Sequence, residues 1–145
     1  MKRLILVSLA ILLAVLAGCR TGNFKFDKDI YAAMPGLLMA DPDIKDGIAY
    51  NQDGTPKVTF DKGEMSLTLK DGLDEGSRQK VVGKAFQIFH DQYMNNAAAK
   101  KPDGSLRRDK IGFHGFVGDT ELYVLDWKLG DEKPQVISNR YGNFI

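Results

Sequence analysis

Apolar and polar positions along this chain fall into four patterns. Residues 4–16 are an apolar run broken only by Ser8. Residues 57–61 (Lys-Val-Thr-Phe-Asp) and 64–70 (Glu-Met-Ser-Leu-Thr-Leu-Lys) alternate with period two, as half-buried strands do. If Lys62-Gly63 is a two-residue hairpin loop, Val58 faces Leu67 and Phe60 faces Met65. Lys57, Thr59, Ser66 and Thr68 then share a wet face. Val81, Val82, Ala85, Ile88, Phe89 and Tyr93 recur at helical spacing. Asp74 is a suitable N-cap for that helix, Glu75 sits in its first turn, and Pro102 stops it. Running from 75 to 101 it would span about 40 Å, against about 25 Å for strands of seven or eight residues. Its Asn95–Ala99 end should overhang the sheet or bend away.

The fourth pattern is a second hairpin, Lys110–Val117 and Thr120–Leu129, joined by Gly118-Asp119. Counted from that loop, Ile111, Phe113, Val117, Leu122 and Val124 lie on one face. His114, Phe116, Tyr123, Leu125 and Trp127 lie on the other. The order β-β-α-β-β predicts a small α+β, two-layer domain, with a mainly antiparallel four-stranded sheet and the long helix across one face. Residues 30–39 are apolar, but Pro35-Gly36 interrupts them, so a short helix or irregular segment is expected there. Residues 41–56 are rich in turn signals, and 131–145 resist assignment.

The N-terminal run belongs to a different device. Lys2-Arg3 precedes it, and Leu16-Ala17-Gly18-Cys19 closes it with small residues before the chain's one cysteine. A charged head, a short apolar run and a small-residue cleavage site make a secretory signal, and the run is too short for a membrane span. Leu16-Ala17-Gly18-Cys19 resembles the lipobox of bacterial lipoproteins. That resemblance covers residues 1–19 only and implies an address, not an activity. It implies that residues 1–18 are removed and that Cys19 carries the covalent lipid, palmitate among its acyl chains. A tether over 19–29 and one globular domain over 30–145 would follow. In such lipoproteins an aspartate after the cysteine favours inner-membrane retention. Arg20 stands there, which points to the outer membrane, facing the periplasm.

Without residues 1–18 the 20 basic residues become 18, against 19 acidic, a net charge of −1. That balance argues against nucleic acid as a partner. A single cysteine excludes an intrachain disulfide. No G-x-S-x-G, H-E-x-x-H or Walker-type glycine loop is present. His90 and His114 are too few for a convincing catalytic site, and the alternation sets Asp126 on the opposite face from His114. Residues 41–47 resemble part of a calcium loop, but lysine stands at 45 and glutamine at 52 where acidic ligands belong. No cofactor other than the lipid, and no metal, is therefore expected. Lys100-Lys101 with Arg107, Arg108 and Lys110 form a basic cluster, either a solvated face or a contact for an acidic or phosphate-bearing partner.

The candidate partner or ligand face is the aromatic one, His114, Phe116, Tyr123 and Trp127. One helix covers one side of a sheet, so this side is either roofed by 30–39 or the C-terminal tail, or partly open to a peptide, glycan or protein. The expected function is that of a lipid-anchored envelope protein that binds or scaffolds without catalysis. An accessory subunit of an envelope secretion or assembly complex is the alternative, and a periplasmic enzyme stands behind both.

Overall fold

The computed structural model describes residues 26–139. Residues 1–25, with the predicted signal sequence and Cys19, and residues 140–145 lie outside them. The described chain is an α+β domain of two layers: helices on one face of a five-stranded mixed sheet.

Residues 26–40 are helical (α1). They take positions 26–29, read above as tether, into the domain, because Phe26 is core. Phe26, Ile30, Met34 and Leu38 repeat every four residues and are all buried. Pro35 withholds the N–H that would bond the Tyr31 carbonyl, a cost of about 3 kcal/mol or more. Four buried apolar side chains at about 1.5–3 kcal/mol each outweigh it. The helix therefore runs through Pro35 where the sequence suggested a break. Asp41 then caps the short helix α2 (Pro42–Lys45), its Oδ1 accepting from the amide of Asp43 at 2.9 Å.

Strands β1 (Val58–Asp61) and β2 (Glu64–Leu69) pair in the expected register, Val58 with Leu67 and Phe60 with Met65. Lys62 and Gly63 have φ of 48° and 86°, as a type I′ turn requires. Helix α3 (Glu75–Asn95) starts where predicted, with Asp74 Oδ1 accepting from the Ser77 amide at 2.9 Å. It ends six residues before the predicted 101. The Asn96 side chain accepts from the Ala98 amide and starts a separate 3-10 turn, Ala97–Ala99, so the chain bends away. Helix α3 returns the chain across the sheet, and β3 (Lys110–Val117) therefore pairs parallel to β2. Strand β4 (Thr120–Lys128) and a fifth, β5 (Gln135–Asn139), follow antiparallel, giving the order β1-β2-β3-β4-β5. The expected four strands thus become five, the last drawn from residues 131–145, which resist assignment in the sequence.

The second hairpin departs from its predicted register at one point. Val117 pairs with Thr120 and Phe116 with Glu121, as a two-residue loop dictates. Gly115 then pairs with Tyr123, so Leu122 is an extra residue on β4. A one-residue slip moves every following side chain of β4 to the other face. Tyr123, Leu125 and Trp127 thereby join Ile111 and Phe113 beneath the helices, all buried. Without the slip, Asp126 and Lys128 would point into the core and three large apolar side chains would face water. Each of those is worth about 1.5–3 kcal/mol when buried. At Gly115 itself a Cβ would lie 3.0 Å from the rings of both Phe113 and Tyr123, a crowded crossing where any larger residue would force those rings to shift.

Helices α1 and α3 lie on the same face of the sheet. Tyr31 of α1 stacks on Phe60 with ring centres 4.7 Å apart, Phe60 meets Phe89 of α3 at 5.9 Å, and Phe86 touches both Phe113 and Trp127 at 5.5 Å. Among the described residues nothing covers the opposite face of the sheet.

Candidate functional site

The predicted aromatic face does not exist as a unit. Tyr123 and Trp127 are core residues, 0% and 3% exposed. The Tyr123 hydroxyl donates to Glu75 Oε2 at 3.1 Å, and Trp127 Nε1 donates to the Asp131 carbonyl at 3.0 Å. Trp127 also lies flat against His90, ring centres 3.8 Å apart. Phe116 and His114 stay on the open face, half-buried. Cys19 lies outside the described residues.

The open face is assembled by matched register across four strands. Thr59 sits opposite Ser66, Ser66 beside His114, and Thr68 beside Phe116. His114 is held between two carboxylates: Nδ1 lies 2.6 Å from Glu121 Oε1 and Nε2 3.5 Å from Glu64 Oε2. Asp126, expected on the other face, shares this one because of the slip at Leu122. It bonds Lys110 at 2.7 Å, and that bond raises the lysine's pKa. Both imidazole nitrogens of His114 are thus turned to carboxylates.

Next to His114 the face sinks into a shallow depression of about 360 Å³, lined by Lys57, Thr59, Ser66, Thr68, Phe116, Gly118 and Asp119. The alternation in β1 and β2 made its wet character legible. The contribution of Phe116, Gly118 and Asp119 depends on the parallel β2–β3 pairing, which local pattern does not encode.

A second depression, about 490 Å³, lies between α1 and the first hairpin, lined by Asp27, Lys28, Tyr31, Phe60, Asp61, Lys62 and Arg108. Asp27, Arg108 and Tyr31 of this lining are each hydrogen-bonded. Arg108 forms a two-pronged ion pair with the buried carboxylate of Asp27, Nε to Oδ1 at 2.9 Å and the second prong from Nη2 to Oδ2. The Tyr93 hydroxyl donates to Asp27 Oδ1 at 2.8 Å, and the Tyr31 hydroxyl accepts from the Gly63 amide. Burial foremost, then the nearby Tyr31 and Asp27 oxygens, hold the Tyr93 hydroxyl well above the ordinary phenol pKa, so it stays a donor. This network fastens α1 to the first hairpin and to the approach to β3.

The basic cluster is dispersed. Arg108 is committed to Asp27, Arg107 Nε donates to the Ala98 carbonyl at 3.1 Å, and Lys110 holds Asp126. In the calcium-loop lookalike, Asp41 caps α2 and Asp43 pairs with Lys80 and Lys84, interactions that depress the Asp43 pKa. His90 leaves its Nε2 buried without a hydrogen-bond partner among the described residues, behind the ring of Trp127.

Compared with known proteins, the chain matches no family model, no curated protein and no solved structure. No helix among the described residues is long and apolar enough to cross a membrane.

Proposed function

We propose that this is a lipid-anchored cell-envelope protein that works by binding, with no chemistry of its own, and that its working surface is the open face of the sheet. The observation that carries this reading is the juxtaposition of Phe116, three strand hydroxyls and the carboxylate-flanked His114 on a face that no other described residues cover. The lipobox-like Leu16–Cys19 supports the anchor, and Arg20 supports placement at the outer membrane on its periplasmic side. Six residues separate Cys19 from Phe26, a span of up to roughly 25 Å, which holds the domain close to the bilayer. The membrane is then one partner, through the lipid, and an envelope component the other.

The accessory-subunit reading has its own support. Strand β5 is a sheet edge, and Ile137 at its bulge is 53% exposed, the kind of strand that accepts another by pairing.

The working surface is tested by photocrosslinking in the native envelope from a benzophenone amino acid at Ser66, with the exposed Ala32 of α1 as the control position. Discrete adducts are expected from position 66, weakened by Phe116→Ala, and none from position 32. Adducts from 32 alone would move the working surface to the helix layer and sink this assignment.

A further inference from the structure

From the lining of the open-face depression we infer its ligand: an uncharged sugar ring of a glycan strand, stacked on Phe116. This rests on the open face being the binding surface, and it adds the chemistry of what is bound.

Three observations carry it. The first is unspent hydrogen-bonding capacity. The hydroxyls of Thr59, Ser66 and Thr68 bond no other side chain among the described residues, nor do the Lys57 ammonium and the Asp119 carboxylate. Each hydroxyl can donate one hydrogen bond and accept others, the ammonium only donates and the carboxylate only accepts. A ring carrying several hydroxyls needs that mixture, because each of its groups is also donor and acceptor. The second is the ring of Phe116 in the same depression, half-buried and so held in place. The C–H face of a sugar is apolar and faintly positive, which complements the negative face of an aromatic ring.

The third is charge. Lys57 and Asp119 bring one positive and one negative group to the lining, so it is neutral in sum. A phosphate would meet Asp119 and a cation would meet Lys57, whereas a neutral ring bonds both. A peptide strand is poorly served here. The backbone groups of β2 and β3 are spent in ladders on both sides, so the face offers no main-chain partners to an extended chain. At about 360 Å³ the site sits at the small end of ligand pockets, roughly 300–1,000 Å³, fit for a ring or two and not a large cofactor. In the second depression, by contrast, Asp27 and Arg108 are bonded to each other and the Tyr31 hydroxyl accepts from the Gly63 amide.

The test is an amide NMR titration of the full chain in detergent with two probes, an N-acetylglucosamine tetramer and a maltose-type glucose tetramer. Saturable shifts are expected at Thr59, Ser66, Thr68, Phe116 and Asp119 with at least one probe. Phe116→Ala should weaken that binding about two- to tenfold with the fold intact. Silence of those amides with both probes at millimolar concentration would overturn the assignment. So would shifts equal in size for Phe116→Ala, or shifts produced by an unstructured peptide probe and by neither sugar. Crosslinks from position 66 report any component held on this face, so they survive if the sugar assignment alone fails.

Discussion

Trp127→Ala should cost about 3–5 kcal/mol of stability, the range for removing a large buried aromatic, while Phe116→Ala should cost less than about 1 kcal/mol. Chemical denaturation of the two variants measures both. The contrast follows from the slip at Leu122, which puts Trp127 against Phe86 and His90 and leaves Phe116 on the open side. Without the slip both residues would share one face and lose similar amounts. Equal losses would therefore contradict the register, and with it the open face on which the proposed function is built. The Trp127 loss also includes the Nε1 bond to Asp131 and the lid over the unpaired His90 nitrogen.

Arg108→Ala is the second large expected effect. The Asp27 side chain is 8% exposed and that of Arg108 24%, so the substitution strands a carboxylate largely out of water. Breaking such a pair from one side costs about 3–5 kcal/mol. The Tyr93 hydroxyl stays bonded to Asp27, which sets the expectation at the lower end, about 3 kcal/mol. Replacing both members together, Asp27→Leu with Arg108→Leu, removes the stranded charge and should recover part of the loss, leaving Tyr93 one acceptor short. Thermal unfolding of the single and double variants decides it. A double variant no more stable than Arg108→Ala would mean that the ion pair is not the source of the effect.

What the sequence made legible was local. The first hairpin, its loop and its two faces followed from strict alternation around Lys62-Gly63, and Asp74 marked the start of α3. Each of these depends on residues within a few positions of one another. Apart from the end of α3, which the Asn96 cap sets locally, the misreadings turn on distant partners. Residues 30–39 read as broken because Pro35 carries a fixed local cost, whereas the gain from Phe26, Ile30, Met34 and Leu38 arises only against the sheet. The pairing of β2 with β3 depends on how α3 folds back, and β5 exists because β4 offers it an edge. The bulge is the costliest omission. A single added residue, Leu122, leaves the loop signal of Gly118-Asp119 intact and still exchanges the faces of Tyr123, Leu125 and Trp127. A run apolar on both sides could have betrayed it, since a helix layer on one face alone has no use for two apolar faces. The Asp27–Arg108 pair spans 81 positions, and no local signal joins them.

The anchor proposal is tested most directly by metabolic labelling with a clickable fatty acid in bacterial cells, read on the wild-type chain and on Cys19→Ala, followed by membrane fractionation. The expected outcome is a labelled wild type in the membrane fraction and an unlabelled Cys19→Ala that is lost from it. An unlabelled wild type, or a Cys19→Ala chain that stays firmly in the membrane fraction, would contradict the anchor and leave the domain without its proposed address.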